Sequence, residues 1–102
     1  MRRGEVRWTV HPDWPRRPVV LLTRDEAIEH LNAVFVVLAT TNIRGLPTEV
    51  ELGAEDGMPR ACALNADHVA SLHKGYLGDL ITTLSSERLA EVCRALDRAT
   101  GC

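Results

Sequence analysis

Arg16, Arg17, Thr40, Thr41 and Asn42 set fixed positive charge against hydroxyl and amide groups in the first half of the chain. An arginine stays protonated at any working pH and presents a planar fork of N–H donors that matches a phosphate. A threonine hydroxyl beside it can bond a phosphate oxygen, so the two could hold a phosphate between them. Arg17 falls just before one predicted strand and Thr40 just after the next. Two strand ends in one small barrel can meet at one rim. A threonine at a strand end serves more often as a turn or pairing residue, so the elements around it must decide.

Other chemistry is sparse. There is no phosphate-binding Gly-rich loop, no His-Glu-x-x-His and no Gly-x-Ser-x-Gly. His11 ends the first predicted strand beside the arginines. An imidazole there suits either acid–base work or a plain loop edge. His30 lies near the end of a predicted helix, where a cation complements the dipole. His68 and His73 stand five residues apart and point to opposite faces of a strand, so no shared metal is expected. Cys62, Cys93 and Cys102 form no Cys-x-x-Cys pair and no zinc spacing. No metal and no cofactor is expected.

The elements that must position these groups follow from periodicity. Residues 5–11 alternate, with Val6, Trp8 and Val10 on one face and Glu5, Arg7, Thr9 and His11 on the other. Two prolines, at 12 and 15, end that strand. Pro18 to Leu22 is a continuous apolar run, which fits a strand covered on both faces. Thr23 to Asn32 changes period: Ala27, Ile28 and Leu31 share a helical face, and Thr23 with Glu26 forms a capping box. Val34 to Ala39 is strongly strand-like, and Thr40 to Pro47 reads as its exit loop. Thr48 to Leu52 alternates. Ala61–Asn65, Val69–Leu72 and Leu80–Leu84 read as further short strands. Leu89, Val92, Cys93 and Leu96 lie at helical spacing, Ser85 or Ser86 is a good N-cap and Gly101 a natural stop. The fold expected is a mainly β, barrel-like domain over residues 1–102, with an inserted helix and a C-terminal helix.

Composition narrows the setting. The 102 residues allow one domain, and so small a core leaves a thin stability margin that self-association would widen. A net charge of −2 argues against non-specific coating of nucleic acid, yet residues 1–24 hold six arginines against Glu5 and Asp13. Those arginines are either scattered solvated side chains or the receiving face for an anion. The longest apolar run, Ala33 to Ala39, is seven residues, too short for a membrane span, and no signal peptide is visible. Reduced cysteines in a cytoplasmic protein are the plain reading.

Several segments carry a resemblance. Arg3-Gly4-Glu5-Val6, Arg17-Pro18-Val19-Val20-Leu21, Thr40-Thr41-Asn42, Leu46-Pro47-Thr48-Glu49-Val50, Asn65-Ala66-Asp67-His68-Val69 and Leu84-Ser85-Ser86-Glu87-Arg88-Leu89 occur in order across nearly the whole chain. Together they resemble the MazF/PemK family of toxins from toxin–antitoxin systems. The resemblance implies an SH3-like β-barrel of the CcdB/MazF type. It implies a homodimeric, metal-independent endoribonuclease that cuts single-stranded RNA and is silenced by a small MazE-like antitoxin. Arg17 and Thr40 match the family's catalytic pair. Arg16, Trp14, Thr41, Asn42 and His11 are the expected RNA-binding residues.

The chain departs from that pattern twice. The long loop between the first two strands shrinks to His11–Arg16, with Trp14 in its middle. Trp14 could replace the loop by stacking on an unpaired base, or could pack on the barrel. The family's Arg-Asp-Ser becomes Arg60-Ala61-Cys62, so bonds from that Asp and Ser are missing. An alternative function stays open on the same barrel: proteins of the CcdB type poison DNA gyrase by contact and cut no RNA.

Overall fold

The computed structural model describes residues 1–102. Six strands run in chain order: β1 (Glu5–Thr9), β2 (Pro18–Leu21), β3 (Ala33–Thr40), β4 (Glu49–Leu52), β5 (Cys62–His73) and β6 (Leu77–Thr83). Helix α1 (Asp25–Ile28) sits between β2 and β3, and helix α2 (Ser86–Thr100) closes the chain. The strands form one antiparallel sheet in the order β4-β5-β3-β2-β1-β6.

The apolar run in β2 is buried on both faces, as its lack of alternation predicts. Val20 joins a core with Val6, Val37, Val50, Leu64 and Val92, while Val19 and Leu21 join a second core with Ile28, Val36, Leu38 and Leu72. Helix α2 covers the first core through Val92 and Ala95, with Leu89 and Leu96 packed beside them. Its ends are set locally: the Ser85 hydroxyl accepts from Arg88 N, and Gly101 takes φ +72°, which only glycine adopts without strain.

The sheet is barrel-like but does not close through hydrogen bonds, because edge strands β4 and β6 do not pair. Side chains span the gap instead. Thr82 Oγ1 donates to Asp56 O at 2.9 Å, and Arg88 Nε donates to Asp56 Oδ1 at 2.9 Å.

Four local expectations are corrected. Helix α1 is a single turn, not two or three, and Leu31 is 44% exposed. Its capping box does not form, because the Thr23 hydroxyl accepts from Phe35 N at 2.8 Å and so anchors β3. The two short strands expected within 61–72 are one strand, β5, with a bulge where pairing jumps from Val37–Val69 to Leu38–Asn65. Thr48 stitches that bulge: its hydroxyl donates to Asp67 Oδ2 at 2.7 Å and its carbonyl accepts from Ala66 N at 2.8 Å. Lastly, the alternation of β1 fails beyond Arg7. A register irregularity against β6 turns Thr9 fully inward and leaves Val10 52% exposed.

Candidate active site

Strand register brings Arg17 and Thr40 together. In the β2–β3 ladder Val19 pairs with Leu38, Val20 with Val37 and Leu21 with Val36. The same register continued past Val19–Leu38 sets Arg17 opposite Thr40, and residues directly opposite share a face. On the other side Arg17 is held by Thr9. Thr9 N donates to Arg17 O at 2.9 Å, and Arg17 N donates to the Thr9 hydroxyl at 3.1 Å. That hydroxyl also reaches Pro15 O at 3.5 Å, a long bond to the short loop. A fully buried hydroxyl thus fixes the backbone of the arginine it adjoins.

Both side chains line a cleft of about 610 Å³. Arg16, Arg17 and Arg60 contribute guanidiniums, Thr40 and Thr41 hydroxyls, and Trp8, Met58 and Cys62 an apolar wall. No carboxylate and no histidine lines it. None of the three guanidiniums donates a hydrogen bond or forms an ion pair within the chain; the salt bridges use Arg7, Arg24 and Arg88. A protein of net charge −2 therefore keeps an uncompensated basic pocket. Low-dielectric walls strengthen the attraction of such a pocket for an anion.

The expected site residues separate into two groups. Arg16, Arg17, Thr40 and Thr41 meet in the cleft. Asn42 lies just outside, but its N–H donates to the Thr40 hydroxyl at 3.1 Å and orients it. Trp14 and His11 lie elsewhere. Trp14 is half-buried against the core of Val19, Leu21 and Leu38, which is the packing alternative. His11 stacks on Trp14 at 4.8 Å between ring centroids and leans on Tyr76 at 4.3 Å. Its Nδ1 accepts from Asp13 N at 3.0 Å, a loop-edge bond.

Sequence reasoning passed over Trp8, Thr9, Met58 and Arg60. Trp8 read as one face of an alternating strand, and Thr9 as the opposite, solvated face. Only the irregularity beyond Arg7, invisible in periodicity, redirects both. The departure at Arg60-Ala61-Cys62 is a sequence signal for Arg60 and Cys62, but by sequence it reads only as a loss. Arg60 in fact adds a charge to the cleft, and Cys62 forms its buried floor. Burial, reinforced by the Asp56 carboxylate, pushes the Cys62 thiol up, so it stays protonated at neutral pH and acts as a small apolar group.

Fold and cleft together define a small mainly β protein with an uncompensated basic cleft at the rim of its sheet. Residues 2–100 match the family described as PemK-like, MazF-like toxin of type II toxin–antitoxin system, and the chain belongs to that family. Among its relatives are two proteins of Mycobacterium tuberculosis. The probable endoribonuclease MazF2 is 42% identical over the full length of both chains. The probable endoribonuclease MazF5 is 42% identical over 98% of this chain and 93% of its own. Solved structures agree. The M. tuberculosis toxin MazF-mt6 superposes with a TM-score of 0.86 at 28% identity, covering 95% of this chain and 96% of that one. An endoribonuclease in complex with its cognate antitoxin, from a mycobacterial species, gives 0.87 at 27% identity, covering 99% and 95%.

Proposed function

We propose that this chain is the toxin of a toxin–antitoxin pair and acts as a metal-independent endoribonuclease on single-stranded RNA, with Arg17 and Thr40 as its catalytic pair. The observation that carries the reading is a free Arg17 guanidinium opposite Thr40 in a cleft without carboxylates. The ribose 2′-oxygen attacks the adjacent phosphorus, its proton passing to solvent, while the bond to the 5′-oxygen breaks. The products are a 2′,3′-cyclic phosphate and a 5′-hydroxyl end. Negative charge builds on the non-bridging oxygens, where the Arg17 fork stabilises it. Thr40, oriented by Asn42 N, bonds a phosphate oxygen or aligns the 2′-hydroxyl. A guanidinium is a poor base, but that of Arg17 can hand a proton to the leaving 5′-oxygen as that atom becomes basic and regain one from solvent. A required 2′-hydroxyl selects RNA over DNA.

Arg16 and Thr41 hold flanking phosphates from the same cleft. Two chains form the working unit, and an acidic, disordered antitoxin segment that folds on binding covers the arginines. RNA as substrate and three unpaired thiols both suit the cytoplasm.

The test is cleavage of mixed RNA in EDTA by wild type and by Arg17→Ala. Discrete fragments from wild type alone are expected. Equal cleavage by the variant would remove Arg17 from the mechanism. Intact RNA with wild type, alongside gyrase trapped on DNA in cells, would move the function to protein binding.

A further inference from the structure

The cleft has a second binding feature beside its phosphate chemistry. Trp8 lines it, and the Arg16 guanidinium lies over the Trp8 ring, 4.6 Å from the ring centroid. Arg16 makes no other polar contact within the chain and is exposed. A flat cation is thus parked on a flat aromatic face at the mouth of the site. We infer that Trp8 is the platform for an unpaired nucleobase next to the scissile phosphate, and that Arg16 is the displaceable cover of that platform.

The inference rests on the ribonuclease reading above and adds a subsite to it. A cation over a half-buried aromatic ring at the surface is held weakly, whereas a nucleobase stacked on such a ring is held more strongly and buries more apolar area. A base arriving over Trp8 therefore displaces the guanidinium. Freed, Arg16 stays beside Arg17 and turns to the phosphate flanking that base, exchanging a cation–π contact for a charge-assisted bond. Every base offers a π-face, so the platform supplies affinity and alignment more than sequence choice. The short loop before Arg16 brings only Pro15 into the cleft beside the platform. Trp14 cannot serve this role from its position, since it packs against the core on the Val19 and Leu38 side.

Trp14→Phe leaves Trp8 as the sole tryptophan and makes its emission a direct reporter. Random-sequence oligoribonucleotides fully 2′-O-methylated are bound but not cut. They should quench Trp8 emission in step with binding followed by fluorescence polarisation. In cleavage of ordinary RNA, Trp8→Leu should raise KM about tenfold with kcat within about twofold, and Trp8→Phe should restore most of the affinity. Polarisation showing binding with unmoved Trp8 emission would overturn the platform. So would a KM unchanged in Trp8→Leu. Quenching without any cleavage by wild type would keep the platform and sink the nuclease reading, so the two failures are distinguishable. Absence of binding by polarisation would overturn both.

Discussion

Arg17 and Arg88 are the same residue type in two opposite settings. Arg88, at the start of α2, is engaged on every side: Nε bonds Asp56 Oδ1 at 2.9 Å, Nη1 bonds Glu91 Oε2 at 2.9 Å, and Glu55 lies at 3.7 Å. Those partners push its pKa up further: first the bond to Asp56, then the bond to Glu91. Arg17 has no acidic partner at all, and its neighbours in the cleft are two further free guanidiniums. The chain carries enough acid to neutralise its arginines but places it elsewhere. One arginine closes the gap between sheet edges, and the other stands without an acidic neighbour. A charge without an internal partner costs solvation and self-repulsion, and binding an anion relieves both.

The contrast breaks most visibly at Arg17. Arg17→Lys keeps the charge but loses the paired donors, so cleavage should fall about a hundredfold. Thermal midpoint should hold, because no intramolecular bond is lost from the side chain. A matching fall in midpoint would place Arg17 with Arg88. The reverse change, Arg88→Met, should lower stability by about 2 kcal/mol, since the nearly buried Asp56 carboxylate loses its ion-pair partner and keeps only the Gly53 N–H. For a chain this size that lowers the midpoint by roughly 8–16 °C. Cleavage per folded molecule should persist. Denaturant melts scored beside initial rates would separate the two arginines.

Thr9 sharpens the comparison by showing what Arg17 depends on. Thr9→Val keeps shape but leaves the Arg17 N–H without its acceptor. A loss of severalfold to about tenfold in kcat is expected, with KM little moved, as for a misaligned catalytic group. A KM effect alone would make Thr9 a loop anchor. Thr9→Ser should restore kcat.

The smallest effect is in acid. Burial opposes ionisation of Asp56, but the Gly53 N–H and the Arg88 guanidinium outweigh it and hold the carboxyl below its usual range. A carboxyl lowered in the folded state contributes stability that is full above its unfolded pKa and is lost as pH falls through its folded value. The wild type should therefore hold steady from neutral pH down to the ordinary carboxylate range and weaken below it. Asp56→Asn should flatten that acid limb. Parallel acid limbs in the two proteins would show that Asp56 is not the group titrating.

The sequence by itself determined the elements whose cause is local. Helix α2 was legible from Leu89, Val92 and Leu96 with its Ser85 cap and Gly101 stop. Strand β2 was legible because an unbroken apolar run needs cover on both faces. The in-order segments carried the family. Local signals failed where a side chain had two possible partners. Thr23 could cap a helix or anchor Phe35, and Trp14 could stack on a base or pack on a core. Only the assembled sheet decided those. It also placed what no periodicity contains: the irregularity beyond Arg7 that turns Thr9 inward and Trp8 into the cleft. Register is a property of two strands at once. The acid-free pocket and the saturated Arg88 are likewise matters of which distant residues meet, and the sheet settles that by bringing residues 8, 17, 40 and 60 to one rim.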